Sequence, residues 1–497
     1  MPSSYMTIGR ECMRVLMLSA ILLLNHSGLA IAVDRGFSWY QCYGGILIDE
    51  GRCCVATADG GYVLIGDTHS FGNGVSDIWA IRTDAYGAIL WESTFGGDLE
   101  DYGASILGTA DGGYIIAGCT YSFGAGNGDG WLLKTDSSGN IEWDTTFGTQ
   151  NDDWFREADK TADGGYILAG ASGVFGDDMN FYLVRVDSTG SLIWERSIGG
   201  NADDGAFSVQ QTADAGYIIA GSTESYGAGW ADGWIVKTDS TGESEWDLIL
   251  GDISFDRFTS IRQTADGQFV ATGYSYSSTS DDRYLWLVGI TDTGALKWEK
   301  LFEGEGSAAG MSLQSLDDGG CIVVGSTQPA PGFENSIWLV RTDSLGDIEW
   351  DLTLQSDYPT LGEHVTQSPD TGYAVVGTQL VTNEDRDIIL AKAEKPTGID
   401  EEDYSPSHGI GLNIEPNPFY SACIVEINHP DSHRIQVSIF DISGREIKSL
   451  SGGLTSAGSH SMTWDGTDAH GEELSSGTYI ILAASEGDFA VERVVKL

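Results

Sequence analysis

An acid follows a tryptophan by ten residues at Asp49, Asp101, Asp153, Asp204 and Asp256, and the series lapses at Ala308 and Thr360. Carboxylates repeated at one structural position have two uses. They accept hydrogen bonds from loop backbone amides, or they join carbonyl oxygens around a hard cation, for which Ca²⁺ is the candidate. A second series places an aromatic twelve residues after a recurring turn aspartate, at Phe71, Phe123, Phe175 and Tyr226. Those rings either pack between strands or offer platforms to sugar rings. No catalytic set accompanies them. His69, His364, His408, His429, His433, His460 and His470 lack metal-ligand spacing, and there is no G-x-S-x-G elbow, phosphate loop or zinc-type C-x-x-C pair. No cofactor is therefore expected beyond the possible Ca²⁺. Arg156, Glu157, Asp159 and Lys160 break an otherwise small or apolar strand pattern. They either line a central channel or form a local ion-paired patch.

A repeat sets these positions. TADGGYVLIG at Thr57 returns as TADGGYIIAG at Thr109, TADGGYILAG at Thr161 and TADAGYIIAG at Thr212, then in weaker form at Thr264, Leu316 and Ser368. The turn aspartates Asp59, Asp111, Asp163, Asp214, Asp266, Asp318 and Asp370 are 51 or 52 residues apart, as are Trp39, Trp91, Trp143, Trp194, Trp246, Trp298 and Trp350. A period of about 50 in short β-branched and aromatic runs predicts propeller blades of four strands. Asp-Gly-Gly accepts the positive φ angles of a tight hairpin, and the tryptophan is expected to fill the wedge between blades. The seventh unit ends at Asp387–Lys395 without its tryptophan strand, while Phe37–Gly45 stands alone at the other end. The N-terminal strand is thus expected to complete the last blade and close the ring, which removes open sheet edges. Short DGG and D-x-x-G turns share one face. The longer loops, such as SFGNGVSD, VFGDDMN and SYGAGWADG, share the other and are the expected binding face.

The expected architecture is all-β: a signal peptide over 1–32, a seven-bladed propeller over 37–395, a linker over 396–411 and a small Ig-like sandwich over 412–497. Arg10 and Arg14 precede the apolar run from Val15 to Leu24, and Ala30-Ile31-Ala32 offers a cleavage site. No transmembrane segment is expected after cleavage. A net charge of −49 repels nucleic acid and anionic lipid. Six cysteines outside the signal form no framework, although Cys53 and Cys54 are adjacent.

From Trp39 to Lys395 the pattern W-x-x-x-F-G-G, then D-G-G-Y-I-I-A-G-x-T-x-S, resembles bacterial β-propeller repeats of secreted and surface proteins. Asp136-Ser137-Ser138-Gly139 before Trp143 is similar to the tryptophan-docking motif of quinoprotein propellers, repeated at Asp84, Asp187, Asp239 and Asp343 and one residue shorter at Asp292. In that family the motif is scaffold, and the pair Cys53-Cys54 is similar to the vicinal disulfide of its alcohol dehydrogenases. The D-x-x-G turn distantly resembles the Asp-box of sialidases, without their arginine triad. Pro416-Asn417-Pro418-Phe419, VSIFDISGREIKSL and AGSHSMTWDGTDAHGEELSSGTYIIL resemble the C-terminal sorting domains of type IX secretion cargo, and equally the Ig-like domain of flagellar hook-capping proteins. That resemblance implies a type IX-like secretion machinery as partner and a location outside the cell or on the outer surface of a bacterium with an outer membrane. The expected function is a non-enzymatic propeller that binds a glycan or another surface protein. The other class left open is a carbohydrate-active or quinone-dependent propeller enzyme.

Overall fold

A computed structural model describes residues 37–394 except for short stretches at 278–281, 304–305, 329–334, 355, 357 and 383–384, and most of 411–496. Of the first 36 residues it describes 23–25 and 28–30, which pair as a short hairpin. The rest of the expected signal segment and nearly all of the expected linker lie outside the described residues. Among the described residues no helix is long and apolar enough to cross a membrane.

Between Phe37 and Ala393 the chain forms seven antiparallel sheets of four strands each. In the first, Asp49–Ala56, Tyr62–Thr68, Asp77–Thr83 and Ile89–Phe95 lie side by side in chain order. The following five repeat this order. The seventh consists of Thr360–Gln367, Tyr373–Leu380 and Arg386–Ala393, with Phe37–Tyr43 as its fourth strand. Such repeated four-stranded sheets resemble propeller folds.

The strands differ in burial as their sequences require. Tyr62–Thr68 and Asp77–Thr83 are buried throughout and carry near-continuous apolar runs, whereas Ile89–Phe95 is largely exposed. Apolar clusters join consecutive sheets. Val63, Ile65 and Ile78 of the first meet Ile106, Ile116 and Trp131 of the second. Ile388 and Leu390 of the seventh meet Cys54, Leu64 and Ile81 of the first.

The recurring tryptophan reaches from its own sheet onto the next. Trp91 donates its Nε1 hydrogen to Ser137 O at 3.2 Å and lies 6.2 Å from the Tyr114 ring. Gly139, at φ +79°, leaves room for it, since a Cβ there would stand 2.8 Å from the indole. The same relation holds for Trp39 with Tyr62 and Gly87, and for Trp194 with Tyr217 and Gly242. The turn near Asp292 has the same length as its sisters. Thr291 takes the aspartate's place, and its Oγ1 accepts from Ala295 N at 3.0 Å as Asp136 Oδ1 accepts from Asn140 N at 2.9 Å.

The turn aspartate ties six of the seven hairpins to the third strand. Thr57 donates to Asp59 at 2.6 Å, and Asp59 receives Arg82 at 2.6 Å. Lys134–Asp111, Arg185–Asp163, Lys237–Asp214, Arg341–Asp318 and Lys392–Asp370 repeat the pair. In the fifth sheet Gly289 replaces the cation, and the indole of Trp298 covers it.

The C-terminal unit has two sheets: Gly411–Glu415, Cys423–His429 and Gly458–Trp464 in one, and four strands centred on Ile435–Asp441 and Gly477–Ala484 in the other. Val425, Ile427, Val437, Ile439, Trp464 and Ile481 belong to its core. Phe419 of the P-N-P-F stretch packs 5.2 Å from Trp464, whose Nε1 donates to Thr467 O at 3.1 Å.

The last glycine of each TADGGYxxxG motif is demanded by the first strand beside it. A Cβ at Gly170 would stand 1.8 Å from Trp154 O, and one at Gly118 1.9 Å from Tyr102 O. Gly170→Ala should therefore cost more than about 2 kcal/mol, at the upper end of overpacking effects. Gly108→Ala, whose Cβ would meet nothing within 4 Å, should stay within about 0.5 kcal/mol of the parent in urea unfolding. Equal costs at the two positions would contradict this assignment.

Candidate functional site in the central cavity

Each first strand breaks register at the same point. The ladder skips one residue between Gly51 and Cys53, Gly103 and Ser105, Phe155 and Glu157, Ala206 and Ser208, Phe258 and Ser260, Gly310 and Ser312, and Gly362 and His364. The skipped residues are Arg52, Ala104, Arg156, Phe207, Thr259, Met311 and Glu363. A bulge frees one side chain from the alternation of its strand and re-aims it. All seven line one cavity of about 100 Å³.

In five of the seven sheets the residue after the bulge reaches the backbone of the next sheet. Ser105 Oγ accepts from Ala158 N at 3.3 Å, Glu157 Oε2 from Val209 N at 2.9 Å, Ser208 Oγ from Ile261 N at 3.0 Å and Ser260 Oγ from Leu313 N at 3.2 Å. His364 Nδ1 faces Cys54 N at 3.5 Å. These side chains are therefore committed to backbone donors of the following sheet.

Charge is concentrated here. Arg52 donates to Glu50 at 2.6 Å and to Asp67 at 2.8 Å, and Asp67 also accepts from Gly103 N at 2.9 Å. Arg262 meets Glu157 at 2.5 Å. Burial opposes the charge of Arg52, but Asp67, Glu363 and Glu50 outweigh it and hold its pKa above the usual value. Burial, and then Arg52 nearby, pushes Arg156 down. Burial raises the Glu363 carboxyl, with Arg52 and Arg156 opposing. The His364 imidazole is pushed down to about 4 by burial and then by Arg262. Beside these lies an aromatic group. The Phe207 ring is 5.9 Å from Trp154, and Arg257 lies over it at 4.2 Å.

The acids expected from the repeat lie elsewhere. Asp49 is buried, accepts from Gly45 N at 2.7 Å and Ser70 Oγ at 2.8 Å, and accepts from Thr68 Oγ1 at 2.5 Å. Asp101 accepts from Gly97 N at 2.8 Å, Asp153 from Thr149 N at 2.5 Å, Asp204 from Gly200 N at 2.7 Å and Asp256 from Asp252 N at 2.9 Å. Each caps the loop that enters its strand, and none lines the cavity. Phe71, Phe123 and Tyr226 lean on Trp79, Trp131 and Trp234 at 4.8, 5.4 and 5.5 Å, while Phe175 is 81% exposed. Among the described residues no group of three His, Cys, Asp or Glu side chains gathers in a metal-binding arrangement.

Arg156 and Glu157 both line the cavity, and Asp159 Oδ2 accepts from Gln211 N at 3.0 Å. Arg52, Phe207, Glu363 and His364 were not singled out by the sequence patterns. Their signal is a position: three residues after the recurring acid the sequence reads Arg, Ala, Arg, Phe, Thr, Met, Glu, while the turns around it barely change. Cys53 lines the cavity and Cys54 is in the core beside Leu64, and both are free thiols, unlike the vicinal disulfide that the quinoprotein resemblance implied.

Residues 425–488 match the FlgD Ig-like domain family. No curated protein matches the chain in sequence. Among solved structures the chain is similar to the Pan2 WD40 domain of Neurospora crassa, at 13% identity over 71% of this chain and 97% of that one, with a TM-score of 0.43. It is also similar to PorZ, a surface component of the type IX secretion system of Porphyromonas gingivalis, at 12% identity over 96% of this chain and 62% of that one, TM-score 0.41. An endo-arabinase of Bacteroides thetaiotaomicron matches at 12% identity over 60% of this chain and 93% of that one, TM-score 0.32. At these identities the likeness concerns fold and carries nothing about activity.

The depressed imidazole of His364 has a measurable consequence. Unfolded, it binds a proton near its ordinary 6.5; folded, only near about 4. As pH falls the unfolded chain takes up that proton first, so stability is lost between those values. His364→Asn should shrink the drop in urea midpoint between about pH 7 and about pH 4.5. An unchanged drop would place the acid sensitivity elsewhere.

Proposed function

We propose that this chain is a secreted or surface-exposed β-propeller of seven blades, closed by its N-terminal strand, that binds its ligand at the central cavity. The observation that carries this reading is the convergence of seven bulge residues, one from each first strand, whose side chains differ while the repeat around them is constant. Scaffold positions repeat because every sheet needs them. These do not repeat, and they face one volume. A glycan or a protein segment presenting a ring suits the mixture of guanidinium, carboxylate and aromatic faces.

An enzyme reading draws on the same convergence, since Glu363 has a raised carboxyl beside Arg52 and Arg156. Acid–base chemistry of the glycosidase kind needs two carboxyl groups with separate roles. Here Glu157 is locked by Arg262 and the Val209 amide, and Ser105, Ser208 and Ser260 accept from backbone rather than facing a base. Binding is therefore the reading the geometry supports best.

Glycan-array screening of the full chain and its Phe207→Ala and Phe71→Ala variants tests the location. A ligand bound at the cavity should lose at least about tenfold in affinity with Phe207→Ala, as expected for an aromatic anchor, and little with Phe71→Ala. The reverse pattern would move the site to the loop face, where Asp49, Asp101, Asp153, Asp204, Asp256, Phe123, Phe175 and Tyr226 also lie.

For the rest of the chain, residues 1–32 are read as a signal peptide, 396–411 as a linker and 412–497 as the address for export across an outer membrane by a type IX-like machinery. A variant ending at Lys395, expressed in a host with that machinery, should fold and stay in the periplasm while the full chain reaches the surface or medium. Export of the truncated form would make the C-terminal unit a spacer or binding module instead.

A further inference from the structure

Of the four arginines at the cavity and its edge, two are paired with carboxylates and one only lies over aromatic rings. Arg52 is held between Glu50 and Asp67, Arg262 is held by Glu157, and Arg257 lies over the Phe207 and Phe255 rings at 4.2 and 5.0 Å. Arg156 is different. Among the described residues no hydrogen bond or ion pair engages it, and its guanidinium stands 5.9 Å from the Phe207 centroid. In strand order its neighbours in the ring of bulge residues are Ala104 and Phe207. Ala104 offers only a methyl between Arg52 and Arg156, and all three line the cavity. Phe207 forms the adjoining apolar wall, with Trp154 5.9 Å from it.

We infer that the cavity takes a ring-bearing monocarboxylate, with its carboxylate on Arg156 and its ring against Phe207. The planar guanidinium matches a carboxylate with two parallel hydrogen bonds. One negative charge is the right number, because Glu363 lines the same cavity and Glu50 and Asp67 already surround Arg52. A doubly charged phosphate would meet stronger repulsion from Glu363. The size agrees as well: about 100 Å³ holds several waters, at about 10–15 Å³ each, or one small ring. The inference rests on the cavity being the binding site. Its chemistry fits a terminal uronic acid of a glycan and a free aromatic acid alike.

Ligand-observed NMR titration of the full chain with galacturonate, benzoate, galactose and inorganic phosphate tests it. Galacturonate or benzoate should bind at least tenfold more tightly than galactose and phosphate. Preference for galacturonate assigns the source to glycan, and preference for benzoate to a free acid. Arg156→Gln should remove at least tenfold of the carboxylate affinity and Arg156→Lys should restore part of it, with Arg196→Gln, far from the cavity lining, unchanged. Melting temperatures of the variants separate loss of binding from loss of fold. Equal binding of galactose and galacturonate, or no binding of either carboxylate, would overturn the inference. If galactose binds and Phe207→Ala abolishes it, the cavity remains the site and only the carboxylate preference falls.

Discussion

One extra residue in each first strand governs the centre of this molecule. The bulge brings the backbone of the first strand so close to the second that no side chain fits at the facing position. All seven facing residues, Gly66, Gly118, Gly170, Gly221, Gly273, Gly325 and Gly377, would place a Cβ within 2.0 Å of a first-strand carbonyl oxygen. The repeat keeps that glycine because hard-sphere contact forbids anything else. In return, the skipped side chain leaves the alternating pattern and enters the common cavity, while in five sheets the residue after it reaches an amide of the next sheet. Packing, the ties between sheets and the candidate site therefore share one geometric cause.

Charge is distributed by the same logic. The chain carries 25 basic side chains against 74 acids. Six of the basic ones cross each hairpin to the turn aspartate, where the exposed carboxylates make each pair worth little in water. Their long stems, themselves buried, contribute more by covering apolar surface. Arg52 and Arg262 instead lie half-buried at the cavity, each against a carboxylate, whereas the Arg156 side chain is open to solvent there.

Much of the fold was legible because its demands are steric and recur. Asp-Gly-Gly marks turns, the tryptophan marks a socket on the next sheet, and the unpaired strand at Phe37 lies against Arg386–Ala393. The site was less legible for two reasons. The recurring acids carry two readings in the sequence, and Asp49 and its sisters each accept a loop amide, a role that a spacing argument cannot distinguish from cation binding. The bulge also breaks the period-two rule by which inward and outward residues are told apart, so Arg52, Phe207 and Glu363 do not stand out as cavity residues. Arg156, Glu157, Asp159 and Lys160 stand out in the sequence because they break the small or apolar pattern of such a strand. The turn at Asp292 misled for a simpler cause, a threonine in the aspartate's place.

The central claim, that the bulged strands lock the sheets to one another around the cavity, is tested most directly by amide hydrogen exchange. The amides of Ala158, Val209, Ile261 and Leu313 should exchange as slowly as the buried strand cores, because each donates to a side chain of the preceding sheet. Ser208→Ala should then speed exchange at Ile261 and leave Ala158 and Leu313 slow. Fast exchange at all four in the parent protein, or no change at Ile261 in the variant, would contradict the account.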